Sequence, residues 1–413
     1  MSKHHQILII GGGNAGISAA AQLLRKDSKL DIAIVESSEK HYYQPAWTLV
    51  GGGDFDINAT VRNQADVMPK RAKWIKARCS SFQPEQNQVT LETGEKITYD
   101  FLIVAPGIQL DWHKVKGLKE ALSKNGVASN YLFETAPYTW EAAQQIKAGD
   151  KVIFTNPNTP IKCGGAPQKI MYLISDYLRK KGLLNKVEVH FYSGGGVIFG
   201  VKKYADTLNK VIERYGIQTH FKHNLVEIDG KQKKSCFINE KGEHVEQAFD
   251  FIHITPPQSA PDFIKNSPLA IPDTEAQQAN LPAGQHSLNF LGWIDVDKYT
   301  LQHNKYPNIF ACGDAANTPN AKTGAAIRKQ VPVLVENLLQ AMKNASPSSK
   351  YNGYGSCPLV TGYGKLVLAE FDYDNKPLET FPFDQSKERW TMYQLKKRVL
   401  PWLYWNKILK GTA

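Results

Sequence analysis

The run Ile7-Leu8-Ile9-Ile10 is short and continuously apolar, the pattern of a parallel strand buried on both faces. A glycine-rich turn over residues 11–16 separates it from an Ala/Leu-rich helical stretch, Ile17 to Leu24. The next apolar run, Asp31 to Glu36, predicts a second strand that ends in an acid. Similar short runs recur at Tyr99 to Val104, Lys151 to Thr155, Val187 to Tyr192 and Asn308 to Ala311. Strands alternating with helical stretches predict an α/β chain built on parallel sheets.

Within the first unit the turn reads Gly11-Gly12-Gly13-Asn14-Ala15-Gly16, a G-x-G-x-x-G between a strand and a helix. Gly11 allows the tight turn, Gly13 lets the backbone approach a pyrophosphate, and Gly16 lets helix and strand pack closely. The helix start supplies unpaired N–H groups and positive partial charge for phosphates. Glu36, twenty residues beyond Gly16, is placed to accept hydrogen bonds from an adenosine ribose. Two later segments, Tyr99 to Gly107 (with Ala105) and Asn308 to Ala316 (with Asp314), are strands running into Gly-containing turns. Together with the first unit they match the discontinuous FAD domain of flavoproteins with two dinucleotide-binding domains. The expected fold is therefore α/β with two tandem Rossmann-like domains and an amphipathic, membrane-anchoring C-terminal region. The expected boundaries are 1–108 and 286–345 for the two parts of the FAD domain, 109–285 for the second domain, and 346–413 for the C-terminal region.

The second domain lacks the glycines for a nicotinamide nucleotide. Its first turn reads Asn156-Pro157-Asn158-Thr159-Pro160, and Gly194-Gly195-Gly196-Val197-Ile198-Phe199 has Phe where the third glycine belongs. This weakens every NADH-dependent reading.

Mean hydropathy is −0.39, and no stretch approaches the roughly 18 apolar residues of a spanning helix. Five irregularly spaced cysteines in 413 residues do not describe a disulfide-stapled secreted scaffold. No His/Cys/carboxylate cluster has metal-ligand spacing, and Met1 to Gln6 do not resemble a signal peptide. The net charge of +11 asks for an anionic partner or surface.

Cys163 stands just ahead of the helical run Ile170 to Leu178, between Lys162 and Lys169, with Pro167 as a first-turn residue. That position should stabilise its thiolate. Cys357, in the Gly/Pro/Ser-rich segment Gly355 to Tyr363, is the expected second thiol and reads as a loop residue. Cys79, Cys236 and Cys312 read as structural, and there is no C-x-x-C.

At these residues the sequence resembles the sulfide:quinone oxidoreductase family, specifically the subgroup with the mitochondrial enzymes. The resemblance spans nearly the whole chain. It includes His41 to Gly51, Lys162 to Leu173, Phe199 to Asp206, Thr255-Pro256-Pro257, Gly355 to Tyr363 and Leu378 to Arg389. It implies a cycle in which hydrogen sulfide attacks a Cys163/Cys357 disulfide or sulfur-bridged pair, leaving a persulfide and a thiolate. The thiolate then passes two electrons to the flavin, and from there they reach a membrane quinone (ubiquinone or similar). The sulfur leaves as polysulfide or on an acceptor thiol such as glutathione or coenzyme A, or on sulfite. The implied FAD contacts are Gly11, Gly13, Asn14, Ala15, Gly16, Glu36, Gln44, the Cys79 backbone, Ala105, Gly107, Asp314, Lys322, Thr323, Gly324 and Ala325. Lys322 is expected near the flavin ring. Residues 105–135 contain no cysteine, so FAD is expected to be non-covalent.

The last 28 residues carry Lys387, Arg389, Lys396, Lys397, Arg398, Lys407 and Lys410 against Glu388 alone, interleaved with Trp, Tyr and Leu. Pro401 is expected to separate two short amphipathic helices. Cations and interfacial aromatics read as a monotopic anchor on the inner (cytoplasmic) membrane rather than a nucleic-acid surface. The sequence leaves the oligomeric state open, a homo-oligomer included. A type II NADH:quinone oxidoreductase is the competing function.

Overall fold

A computed structural model describes residues 3–271 and 291–413. The expected boundary at 285/286 lies outside the described residues.

The first strand, Lys3–Ile10, sits centrally in a seven-stranded sheet. Its parallel neighbours are Ile32–Val35 on one side and Lys96–Val104 on the other. Every residue from Ile7 to Ile10 is buried, as a strand covered on both faces requires. Lys96–Val104 is long enough to serve two partners. Its first residues pair antiparallel with Gln88–Leu91, and Leu102 to Val104 pair parallel with Ile309–Ala311 from far downstream. The late strand thus returns to the sheet begun at the N-terminus. The helix Asn14–Lys26 covers one face and packs with Gly324–Ala341 through Ala15, Ala19, Leu23, Ile327 and Val331.

A second, five-stranded parallel sheet runs in the order Val127–Ala128, Phe251–His253, Lys151–Asn156, Glu188–Ser193, Gln218–Phe221. The helix Ala166–Lys180 covers it, and eleven of its fifteen residues are buried. Its other side receives an antiparallel hairpin, Gly355–Gly362 with Lys365–Phe371. Ile170 and Met171 of the helix share one apolar core with Cys357, Leu359 and Val367 of the hairpin. The cysteine helix is therefore clamped between a sheet and a hairpin, which explains its nearly all-round burial.

Two expectations change here. Cys357 is not in a loop: it lies within a strand, 1% exposed, paired with Ala369. Pro358 is tolerated because the hairpin has only two strands, so half of its backbone edge needs no partner. Pro401 does not separate two helices either. Residues 390–408 follow one helical path with π turns at Leu395–Val399 and Tyr404–Ile408, and Pro401 sits in the first turn of the short α segment between them.

Candidate active site

The turn before the cysteine helix holds Cys163 in the left-handed region at φ 55°, uncommon for a residue with a side chain. Two backbone hydrogen bonds fix it: Cys163 N–H donates to Lys322 O at 2.8 Å, and Ala166 N–H donates to Cys163 O at 2.7 Å. The next constraint is Gly165, where a Cβ would lie 2.2 Å from Leu359 Cδ2 and 3.9 Å from Cys357 Cβ. A glycine there lets hairpin and helix start approach closely. Cys163 Sγ and Cys357 Sγ consequently stand 3.8 Å apart as two thiols, within the reach of a bridge after a small movement.

The two sulfurs are electrostatically unequal. Lys169, one turn into the helix and buried, places Nζ 2.9 Å from Cys163 Sγ. The Cys357 thiol and then the Lys169 ammonium pull the Cys163 pKa well below the usual thiol range, against the cost of burial. The same contact with Cys163, reinforced by burial, pushes the Cys357 thiol well above it. Lys162, expected beside the thiol, instead donates from Nζ to Gln44 Oε1 at 2.6 Å.

Beyond Cys163 lies a group of charges. Lys322 is 8% exposed, donates from Nζ to Ala316 O at 2.9 Å and stands 3.9 Å from the Trp293 ring centroid. Burial lowers its pKa to about 8, and burial raises that of Asp314 while Lys322 and Lys162 oppose the rise. The hydroxyls of Tyr131 and Thr255 and the Nε2 of Gln258 are buried without a partner. Gln258 is tied to this turn, since its Oε1 accepts from Lys162 N–H at 2.9 Å.

The dinucleotide cradle fits FAD. Gly11 has φ +103°, and a Cβ there would meet Ala105 O at 2.4 Å; a Cβ at Gly16 would meet Gly11 O at 1.9 Å. Around Gly13 there is open space, and the helix start at Asn14 has no side-chain cap, so its N–H groups face room for a pyrophosphate. Glu36 accepts from Gly12 N–H at 2.9 Å and from Ser38 N–H at 2.7 Å. It lines a cavity of about 580 Å³ together with Gly11, Cys79, Arg78 and Pro106. Gly107 has φ +80°, and a Cβ there would meet nothing within 4 Å. The second helix start, Thr323-Gly324-Ala325, approaches the first: a Cβ on Gly324 would lie 3.6 Å from Asn14 Nδ2. Thr323 caps that helix by accepting from Ala326 N–H. Among the remaining cysteines, Cys312 and Cys79 are buried with pKa values pushed up to about 12 by desolvation, as structural thiols are.

Sequence reasoning missed Tyr131 and Gln258, and it placed Lys396 on the lipid side. Lys396 is 5% exposed and donates from Nζ to Pro45 O at 3.1 Å, pointing inward. The missed signal is its spacing: Met392, Tyr393 and Lys396 share the buried face of the helix, which Trp390, Val399 and Trp402 avoid at 64%, 47% and 55% exposure.

Such a fold and thiol pair define a flavoprotein disulfide oxidoreductase. The pyridine nucleotide-disulphide oxidoreductase family matches residues 5–139. The chain is 45% identical over 411 residues to the mitochondrial sulfide:quinone oxidoreductase of Mus musculus, covering 99% of this chain and 87% of that one. It is 47% identical to the mitochondrial sulfide:quinone oxidoreductase of Dictyostelium discoideum, covering 98% and 86%. The chain belongs to the sulfide:quinone oxidoreductase family, and its cofactor is FAD. Its fold matches the sulfide:quinone oxidoreductase structure from Aquifex aeolicus with a TM-score of 0.79 at 20% identity, covering 100% of this chain and 92% of that one.

Proposed function

We propose that the protein oxidises hydrogen sulfide at Cys163 and Cys357 and delivers the electron pair through FAD to a membrane quinone. The observation that carries this reading is the unequal thiol pair, 3.8 Å apart, with Lys169 on Cys163 alone.

In the bonded form of the pair, hydrosulfide attacks Cys357 Sγ, the S–S bond breaks, and Cys163 leaves as a thiolate. The leaving sulfur should be the one of lower pKa, which is Cys163 beside Lys169. Cys357 is left with a persulfide, buried and shielded from water. An acceptor thiolate or sulfite then removes the outer sulfur. Over a full turnover one sulfide loses two electrons, its sulfur departs on the acceptor, and the cysteines return to the bonded form. FAD, held by the Gly11–Gly16 turn, Glu36, Gln44, Asp314 and the Lys322–Ala325 segment, supplies the two-electron acceptor between sulfur and quinone. Lys322 and Lys162 would supply positive charge that favours a reduced, anionic flavin.

The C-terminal helix presents Trp390, Val399 and Trp402 outward, beside Lys387, Arg398 and Lys407. This face suits a membrane surface, and the quinone would reach the flavin beneath it. No helix among the described residues is long and apolar enough to cross a membrane.

The test is anaerobic flavin absorbance on mixing with sulfide, in wild type and Cys163→Ser, followed by a soluble quinone. Bleaching in wild type alone, reversed by quinone, is expected. Bleaching that survives Cys163→Ser would overturn the route.

A further inference from the structure

The G-x-G-x-x-G fingerprint leaves its second position free, yet a glycine, Gly12, stands there. A Cβ on Gly12 would lie 2.5 Å from Gln64 Nε2 and 2.7 Å from Glu36 Cβ, so two side chains close on this residue. Glu36 accepts from Gly12 N–H at 2.9 Å. Gly12 O accepts from Gln64 Nε2 at 2.8 Å and faces His41 Nδ1 at 3.2 Å.

A trans peptide is planar, with its C=O and N–H pointing in opposite directions. Gly12 O and Gly13 N–H belong to one peptide. Holding the carbonyl toward His41 and Gln64 therefore turns Gly13 N–H away from both side chains. That N–H has no acceptor among the described residues, and a Cβ on Gly13 would meet nothing within 4 Å.

His41 can hold this carbonyl in one tautomer only. A carbonyl oxygen accepts and never donates, so the proton sits on Nδ1 and Nε2 is left as an acceptor. Tyr404 Oη stands 2.6 Å from Nε2 and donates to it. His41, Gln64 and Tyr404 are 4%, 1% and 6% exposed, so water does not compete for these bonds. The helix that carries Tyr404 is clasped to the same part of the chain: Lys397 Nζ donates to Asp54 Oδ1 at 2.7 Å, and the Tyr393 hydroxyl donates to Asp54 Oδ2.

We infer that Tyr404, on the C-terminal helix, is a positioning residue for the cofactor: by fixing the His41 tautomer it holds the Gly12 carbonyl, and with it the Gly13 N–H that would meet the FAD pyrophosphate. FAD binding and docking of the C-terminal helix then stabilise each other, since both favour the same state of this chain of bonds. The inference rests on the Gly11–Gly16 turn as the pyrophosphate site, which Gly16→Ala tests on its own. It needs neither sulfide nor quinone.

The experiment is FAD release on serial dilution of the holoenzyme, read by the rise in flavin fluorescence, with far-ultraviolet circular dichroism showing that the chain stays folded. Tyr404→Phe keeps the ring and removes only the hydroxyl; it should raise the FAD dissociation constant by about tenfold. Trp405→Phe alters the packing on His41, whose ring lies 5.8 Å from that of Trp405, without touching any of these bonds. It should leave the constant near the wild-type value. In a His41→Asn background, Tyr404→Phe should add nothing. An unchanged constant in Tyr404→Phe overturns the inference, as does an equal rise in Trp405→Phe, because packing and not the bond would then act. An undiminished effect of Tyr404→Phe in the His41→Asn background also overturns it. If Tyr404→Phe fails to fold, the wild type decides: excess FAD should slow tryptic cleavage after Lys397 and Arg398, and cleavage indifferent to FAD refutes the coupling.

Discussion

The Tyr404 hydroxyl and His41 Nε2 meet at 2.6 Å, 363 positions apart in the chain and both buried. His41 Nδ1 stands 3.2 Å from Gly12 O in the dinucleotide turn, so one imidazole ties the C-terminal helix to the cofactor cradle. Burial lowers its pKa from 6.5 to about 4.

That shift has a sign. Between pH 6.5 and 4 the unfolded chain binds a proton that folded His41 refuses, so stability is full above 6.5 and is lost as pH falls toward 4. The ceiling is about 3 kcal/mol from His41. His253, buried with its pKa lowered to about 3, adds in the same direction. Chemical denaturation of wild type and His41→Gln across this range should give a flatter pH dependence for the variant; parallel curves would refute the assignment.

Gly16→Ala should yield protein lacking FAD. Its Cβ would sit 1.9 Å from a backbone oxygen, which cannot move aside as a side chain could. The ratio of flavin to protein absorbance after purification reads this directly, and full occupancy would count against the cradle.

NADH should not bleach the flavin. At the second domain's first turn, Asn158 N–H donates to Asn224 Oδ1 at 3.0 Å, and a Cβ on Gly194 would lie 2.5 Å from that nitrogen. This turn is filled by its own chain where a pyrophosphate would need room. Anaerobic bleaching by NADH at a rate comparable to sulfide would restore the competing function.

Leu359→Ala should cost about 2–5 kcal/mol, as for other fully buried leucines. Leu359 is 0% exposed in the core joining the cysteine helix to the hairpin. Loosening that joint should also slow sulfide bleaching, because Leu359 lies between the helix start and the strand that carries Cys357. A variant with lowered stability but unchanged bleaching would show that the pair does not depend on this packing.

The sequence by itself determined the dinucleotide unit. Its signals, an apolar strand, three spaced glycines, a helix and an acid, are local, and each follows from steric demands within about thirty residues. The basicity beside Cys163 was legible for the same reason: Lys169 is one helical turn away from the start. The depth of Cys357 and the direction of Lys396 were decided only by tertiary structure. Cys357 is buried because its strand packs on a helix whose cysteine is 194 positions earlier, and local polarity carries no trace of that partner. Lys396 turns inward because the bonds from Lys397 to Asp54 and between Tyr404 and His41 set the rotation of its helix. Periodicity can show that Met392, Tyr393 and Lys396 share a face, but only the partners packed against the helix decide whether that face turns in.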